Sequence, residues 1–208
     1  MKKESITNVF SIMLIISGIL SIIWWLLLGI SQMAGGSGGS LSQLVQSSSW
    51  IPINIIGLVA LLLLVMGLMR ILFDDESNLG SFGFLGFIIC IFGVVLFTSL
   101  QFDETFVWPL LAKYADSLLE IEGPMFTNPA FSAAYIIMGI LYVLGFIFIA
   151  IQALRRDIFP KIPSILMIVG APMFGAGLLV PSMVRTAGII LLGVSFAWIG
   201  FFKFKRAT

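Results

Sequence analysis

The chain has 208 residues, of which 60% are hydrophobic and 10% are charged, and its formal net charge is +1. A soluble domain carries about 25% charged residues, so a water-soluble fold could not cover this much apolar surface and the bilayer is the expected solvent. The sequence has no histidine, the commonest metal ligand and general base near neutral pH, and its single cysteine, Cys90, excludes an intramolecular disulfide.

The first apolar block, residues 9–30, follows Lys2 and Lys3 and predicts a transmembrane helix. A signal peptide has an apolar core of about 7–15 residues, whereas this block has 22. Cleavage at the weak small-residue match of residues 34–36 is the alternative. The glycine- and serine-rich stretch of residues 31–50 carries no charge and predicts a flexible connector.

Five further apolar blocks follow, which gives six predicted spans. The predicted spans are residues 9–30, 51–73, 80–100, 131–152, 162–180 and 183–202. The sequence therefore predicts an all-α fold, a single polytopic membrane domain over residues 1–208 in which six transmembrane helices form a bundle. The third span has Gly80, Gly83 and Gly86 at every third position, a pattern that favours close helix packing over a ligand site.

The fifth predicted span contains a proline among glycines: Gly170, Pro172, Gly175 and Gly177. A proline inside a helix removes one backbone hydrogen bond and clashes with the preceding turn, so a kink is predicted at Pro172. Interrupted spans line binding sites in transporters, but such segments are also common in plain packed helices. A cavity beside the kink and simple packing both stay open as interpretations.

Six spans put both termini on the same side of the membrane, and the basic residues indicate which side. Nine of the eleven Lys and Arg residues lie on the side of the termini, and only Lys113 and Arg185 lie on the other. Because cytoplasmic loops are enriched in Lys and Arg, both termini are predicted to be cytoplasmic. Four amphipathic indoles then fall near the outer interface: Trp24, Trp25, Trp50 and Trp108.

The longest charged segment, residues 101–129, lies on the predicted outer side between the third and fourth spans. Within it, residues 104–122 form a predicted outer amphipathic segment, in which about residues 108–121 predict one amphipathic helix with Pro109 in its first turn. The predicted apolar stripe comprises Val107, Leu110, Leu111, Tyr114, Leu118 and Ile121. This helix is expected to act as a lid over the bundle ends or as a docking element for a partner.

Two charges near the outer membrane boundary, Glu104 and Arg185, are the centre of the candidate site. Charges at membrane depth are costly and usually paired, so Arg185 is predicted to form a salt bridge with Glu104 or Asp103. Contact between Arg185 and a lipid phosphate is the alternative. The residues assigned to an outer ion pair or docking site are Asp103, Glu104, Phe106, Pro109 and Arg185.

The run from Glu104 to Ala112, E-T-F-V-W-P-L-L-A, fits a pattern in which an acid is followed by x-F-V-x-P-x-L-A. In this pattern, and over roughly residues 67–156, the chain resembles a broad group of small bacterial membrane proteins of unassigned function. The resemblance implies a protein of the bacterial inner membrane and directs attention to Glu104, Phe106 and Pro109. It implies no activity.

The middle of each predicted span lacks ionisable residues, and the sequence has no intramembrane-protease motif and no nucleotide-binding loop. The sequence therefore predicts a small accessory membrane protein, surrounded by lipid, that docks another membrane protein or a second copy of the chain. The alternative is a carrier or binder of a lipid or another apolar small molecule. Neither an enzyme, a cofactor, a metal nor a nucleic-acid partner is expected.

Overall fold

The structure, a computed structural model, describes residues 3–34, 40–120, 123–177 and 180–207. Every regular element in these ranges is a helix, so the predicted all-α fold is confirmed. The elements are α1 (Lys3–Ala34), α2 (Leu41–Val45), α3 (Trp50–Phe102), a π-helical turn (Asp103–Val107), α4 (Trp108–Tyr114), a 3₁₀ turn (Asp116–Leu119), α5 (Pro124–Thr127), α6 (Pro129–Arg156), α7 (Lys161–Gly175) and α8 (Ser182–Ala207).

Five helical stretches are long and apolar enough to cross a membrane. They are Ile6–Ser31, Trp50–Leu72, Leu79–Tyr114, Pro129–Arg156 and Ser182–Arg206. The predicted span of residues 162–180 corresponds to α7, which has 15 residues and rises about 22 Å. Because a transmembrane helix needs about 20 residues to cross the hydrocarbon core, length alone supports five spans within the described residues and leaves the sixth unconfirmed.

The second and third predicted spans are the two arms of α3, and the chain reverses direction between them. A straight helix would separate Asn54 from Gln101 by about 70 Å, yet Gln101 Nε2 donates a hydrogen bond of 2.9 Å to Asn54 Oδ1. The reversal lies beside Gly80, whose φ of +59° falls in the left-handed region that glycine adopts without strain. We call Trp50–Leu72 the first arm of α3 and residues 79–102 the second arm.

The helical arms form a closed ring. The first arm of α3 packs on α1, the second arm packs on α6, α7 lies between α6 and α8, and α8 closes the ring against α1. Small residues permit these close contacts: a Cβ atom added at Gly67 would lie 2.8 Å from the Leu14 backbone, and one added at Gly86 would lie 2.6 Å from Phe148 Cβ. Glycine therefore brings the helix backbones together, as expected when lipid removes the hydrophobic drive between helices.

Aromatic side chains fill the space between the arms. Phe174 of α7 contacts Trp25 of α1 at 5.2 Å and Phe97 of α3 at 5.4 Å between ring centroids. Phe146 of α6 contacts Phe196 of α8 at 5.2 Å. Such ring pairs contribute about 0.5–1.5 kcal/mol each beyond the area that they bury. Packing therefore runs across the ring as well as between neighbouring helices.

The predicted flexible connector of residues 31–50 is wrong for residues 41–45, which form α2. Ser40 caps this helix by accepting a hydrogen bond from the Gln43 N–H at 3.3 Å. Val45 is buried, and Gln46 Nε2 donates to the Ala112 carbonyl at 2.6 Å. Composition alone did not indicate this helix because its stability comes from packing on α4 rather than from helix propensity.

The predicted outer helix, about residues 108–121 of the amphipathic segment 104–122, differs from the structure in its length. The helix α4 ends at Tyr114, Ala115 then adopts φ −155° and ψ 55°, and a 3₁₀ turn follows. Two of the predicted positions, Ile121 and Glu122, lie outside the described residues. The segment is therefore built from short turns and not from one amphipathic helix.

The buried face of α4 also differs from the predicted stripe. Leu110 and Tyr114 are 58% and 76% exposed, whereas Trp108, Ala112 and Leu119 are buried. The physical reason is that α4 continues the second arm of α3 instead of lying across the bundle. Its orientation is therefore set by that arm, and it buries the residues that face Trp50 and α2.

Candidate functional site

The candidate site begins at the π-helical turn, where α3 passes into α4. Pro109 has no N–H, and in an α-helix its ring would clash with the carbonyl four residues earlier. The wider turn relieves this clash, and the Trp108 N–H bonds the Asp103 carbonyl, five residues earlier. The Trp108 N–H therefore does not bond the Glu104 carbonyl. Pro109 cannot bond this carbonyl either, because it has no N–H group. Such π turns are frequent at functional sites.

The Glu104 carbonyl finds its donor in another arm. Trp50 Nε1 donates a hydrogen bond of 2.7 Å to it, and the Trp50 ring also stacks on Trp108 with 6.4 Å between the centroids. The first residue of the first arm is thereby fixed against the π turn at the end of the second arm.

A buried polar network continues below Trp50 and joins α1 to both arms of α3. Asn54 is its centre: the Asn54 Oδ1 atom accepts from Gln101 Nε2 at 2.9 Å and from Trp24 Nε1 at 3.4 Å, and Asn54 Nδ2 donates to the Trp50 carbonyl at 2.9 Å. Asn54 and Gln101 are 0% and 1% exposed. Because a buried amide without partners is costly, this network favours one register of the three helical arms.

On the other side of the π turn, three polar side chains from different helices converge. Glu104 is partly buried and interacts electrostatically with Arg185 of α8 and with its neighbour Asp103. Tyr135 of α6 interacts with both Glu104 and Arg185. The fold therefore brings Glu104 and Arg185, two residues 81 positions apart, to the same end of the bundle.

Arg185 makes no hydrogen-bonded ion pair with Asp103 or Glu104 in the part of the chain that the structure describes. Its guanidinium lies instead 5.8 Å from the centroid of the Trp25 ring, within cation–π range, and Trp25 Nε1 donates to Thr186 Oγ1 at 2.8 Å. Arg185 therefore interacts with Glu104 electrostatically but without a direct contact. The direct salt bridge stays a prediction.

The other residues predicted for docking lie at the outside of the π turn. Asp103 is exposed, Phe106 is 40% exposed and Pro109 is partly buried. Phe106 belongs to a row of exposed side chains that recur every fourth residue along the second arm, the π turn and α4. We call this row the outer apolar face, and it comprises Phe102, Phe106, Leu110 and Tyr114.

The glycines near Pro172 lie at helix contacts. A Cβ atom added at Gly170 would lie 2.9 Å from the Gly188 carbonyl of α8, and one added at Gly175 would lie 2.5 Å from Val143 of α6. These neighbours occupy the space beside the two glycines. The contacts agree with simple packing and give no support to a cavity.

Pro172 itself is exposed and stands three residues before the end of α7. Gly177, just beyond the helix, has a φ of +56°, and a Cβ atom added there would lie 2.9 Å from the Tyr135 ring. The segment therefore contacts Tyr135, the side chain of α6 that interacts with Glu104 and Arg185. A ligand cavity beside Pro172 stays one of the two interpretations.

A second buried polar cluster, not predicted from the sequence, lies at the opposite end of the bundle. Arg70, 2% exposed, donates from Nε to Ser11 Oγ at 2.8 Å and from Nη2 to the Lys203 carbonyl at 3.2 Å. It thereby ties α3 to α1 and α8. The sequence carried two signals: Arg70 lies inside the predicted span of residues 51–73, and the polar Ser11 lies inside the first apolar block.

Within the described residues, no group of three or more His, Cys, Asp or Glu side chains could hold a metal ion. Comparison with protein-family models, with curated proteins and with solved structures found no match to this chain. The function therefore has to follow from the residues themselves and from their geometry.

Proposed function

We propose that this protein is a small integral membrane accessory protein that docks a partner through the outer apolar face. The observation that carries the proposal is that the second arm of α3 continues through the π turn into α4, whereas the first arm starts at Trp50. The stretch Leu79–Tyr114 has 36 residues and Trp50–Leu72 has 23, which correspond to about 54 Å and about 35 Å. Because Trp50 contacts Glu104, the ten residues after Glu104 rise about 15 Å beyond the start of the first arm.

Two layers of polar side chains support a particular depth of the bundle in the bilayer. The outer polar layer comprises Asn54, Gln101, Glu104 and Arg185, and the inner polar layer comprises Ser11, Arg70 and Lys203. Sixteen residues separate Asn54 from Arg70 and eighteen separate Arg185 from Lys203, rises of about 24 Å and about 27 Å. The hydrocarbon core is about 30 Å thick, so each layer fits one of its boundaries, and α4 extends beyond the outer boundary.

The same layers favour a sixth crossing, by α7. Lys161, the first residue of α7, follows Phe159, whose ring lies 6.0 Å from Lys203 Nζ in the inner layer. Gly177 packs on Tyr135 beside the outer layer, and it lies 16 positions after Lys161, a rise of about 24 Å at helical spacing. Six crossings put both termini on one side, and the excess of Lys and Arg there favours a cytoplasmic location of the termini in a bacterial inner membrane.

The outer apolar face supplies the docking surface. Its last two residues, Leu110 and Tyr114, stand beyond the outer polar layer and are 58% and 76% exposed. At that depth hydrocarbon gives way to headgroups and water, so an exposed apolar row fits contact with another protein. Aromatic side chains such as Tyr114 are frequent centres of binding energy in protein interfaces.

The alternative function, a carrier of an apolar molecule, has less support. A carrier needs room between its helices, and the rings of Trp25, Phe97, Tyr142 and Phe174 occupy the space between α1, α3, α6 and α7. Docking is therefore the function that the geometry favours.

Site-specific photo-crosslinking in native membranes tests the proposal. A photoreactive side chain is placed at Leu110, and the control position is Leu62, which is 52% exposed in the middle of the first arm. We expect one discrete protein adduct at Leu110, its loss when Tyr114→Ala is added, and only lipid adducts at Leu62. Equal adduct patterns at the two positions would contradict docking through this face.

A further inference from the structure

A surface depression lies on the second arm of α3, near the inner end of the bundle and far from the outer apolar face. Its volume is about 520 Å³, and its lining comprises Gly80, Ser81, Phe84, Leu85 and Ile88. Phe84, Leu85 and Ile88 are 46%, 52% and 38% exposed, so one wall is apolar over more than a helical turn. Gly80 and Ser81 form its inner, more polar end.

A guanidinium group from α6 lies next to Gly80 at that inner end, beside the lining residues. A Cβ atom added at Gly80 would lie 3.0 Å from Nη2 of Arg156 and 3.4 Å from Nε2 of Gln152, so two nitrogen donors from α6 reach the start of the second arm. Arg156 is exposed and makes no ion pair with the residues that the structure describes. Its exposed neighbours Arg155 and Asp157 carry opposite charges that offset each other.

The depth of this end matches that of lipid phosphates. Twenty-one residues separate Gly80 from Gln101 in the outer polar layer, a rise of about 31 Å. The hydrocarbon core is about 30 Å thick, so Arg156 lies at the opposite boundary. An apolar wall that ends beside an exposed guanidinium at this depth matches a phospholipid, whose acyl chain would lie along the wall and whose headgroup would lie at the guanidinium.

We propose that this depression binds one anionic phospholipid. Arg156 contacts the phosphate through the two-pronged geometry that guanidinium groups form with phosphate, and one acyl chain lies along Phe84, Leu85 and Ile88. Basic pockets between transmembrane helices on the cytoplasmic side bind anionic headgroups in the same way. The bound lipid would bridge the hairpin of α3 to the end of α6. This proposal does not depend on docking through the outer apolar face.

Native mass spectrometry of the protein reconstituted in vesicles of equal parts phosphatidylglycerol and phosphatidylcholine tests the site. The measured quantity is the fraction of protein ions that retain each lipid. We expect the unchanged chain to retain phosphatidylglycerol in preference to phosphatidylcholine. Arg156→Gln should lower phosphatidylglycerol retention about tenfold, since a charge-assisted hydrogen bond is lost, and Ser81→Trp should lower it by filling the depression.

Matched controls separate this site from general effects. Arg155→Gln removes an adjacent exposed charge, and Leu62→Trp adds the same indole to the first arm; both should keep the retention of the unchanged chain. Equal retention of the two lipids, or full retention in both Arg156→Gln and Ser81→Trp, would overturn the proposal. Loss in Arg156→Gln alone would overturn the acyl-chain contact. A circular-dichroism melt of each variant verifies that it is folded when the lipids are counted.

Discussion

Trp50 donates its indole hydrogen, at 2.7 Å, to the Glu104 carbonyl, which neither the Trp108 N–H nor Pro109 bonds. The proline widens the helix into a π turn, the turn releases the carbonyl, and the first residue of the neighbouring arm satisfies it. One side chain thereby fixes the relative height of the two arms of α3. The height at which α4 emerges from the bundle follows from this contact.

We expect Trp50→Phe to destabilise the protein by about 1–3 kcal/mol, because the Glu104 carbonyl loses its donor while partly buried. Chemical unfolding in detergent micelles, followed by circular dichroism, measures the change. Trp198→Phe is the matched control, since Trp198 is 41% exposed on α8 and should change stability little. Equal stability of the two variants would show that the indole bond contributes nothing.

A second prediction concerns the coupling between Trp50 and Pro109. Pro109→Ala supplies an N–H group that can bond a carbonyl of the preceding turn, so the π turn is no longer required. We therefore expect Trp50→Phe to cost less than half as much in the Pro109→Ala background as in the unchanged chain. A double-mutant cycle measures this coupling, and strictly additive effects would argue against the link.

The close contact between α3 and α6 gives a third prediction. A Cβ atom added at Gly145 would overlap the backbone of Cys90, whereas one added at Gly29 would meet no atom within 4 Å. We expect Gly145→Ala to destabilise the bundle by about 1–3 kcal/mol through overpacking, and Gly29→Ala to be neutral or stabilising by up to about 1 kcal/mol. Unfolding curves of the two variants under the same conditions compare them directly, and similar curves would contradict the packing.

The fourth prediction concerns Arg70, whose guanidinium reaches two different helices. Arg70→Lys keeps the charge but lacks the fork that donates to both Ser11 and the Lys203 carbonyl. We expect a loss of about 1.5–3 kcal/mol, the range for a hydrogen bond to a charged group. Arg155→Lys, a change at an exposed arginine, provides the control. Full stability of Arg70→Lys would mean that charge alone suffices at this position.

Hydropathy was enough to locate most of the membrane helices. The predicted spans of residues 131–152 and 183–202 fall inside Pro129–Arg156 and Ser182–Arg206. A run of apolar side chains carries its own signal, because burial in lipid depends on composition and length alone. The short α7 shows the limit of this rule, since composition predicted a span where the helix itself has 15 residues.

The candidate site could be predicted only in part, because it depends on contacts between distant residues. Glu104 and Arg185 stood out as charges near the predicted outer membrane boundary, and the fold brings both to one end of the bundle. Asn54 gave no comparable signal: it is one polar residue at the start of an apolar block, and its partner Gln101 lies 47 positions later. The reversal at Gly80 that joins them is a tertiary property.

The contact between α1 and α8 constrains the order in which the protein can be assembled. A Cβ atom added at Gly193 would lie 2.6 Å from the Gly18 carbonyl, so these two helices meet backbone to backbone although 175 positions separate the glycines. During synthesis α1 enters the membrane long before α8 leaves the ribosome. Until then, the glycine- and serine-lined face of α1 that packs on α8 is not covered by that helix. A nascent chain thus exposes this face of α1 until α8 has been translated. If the ribosome stalls earlier, the face stays accessible to membrane chaperones and proteases.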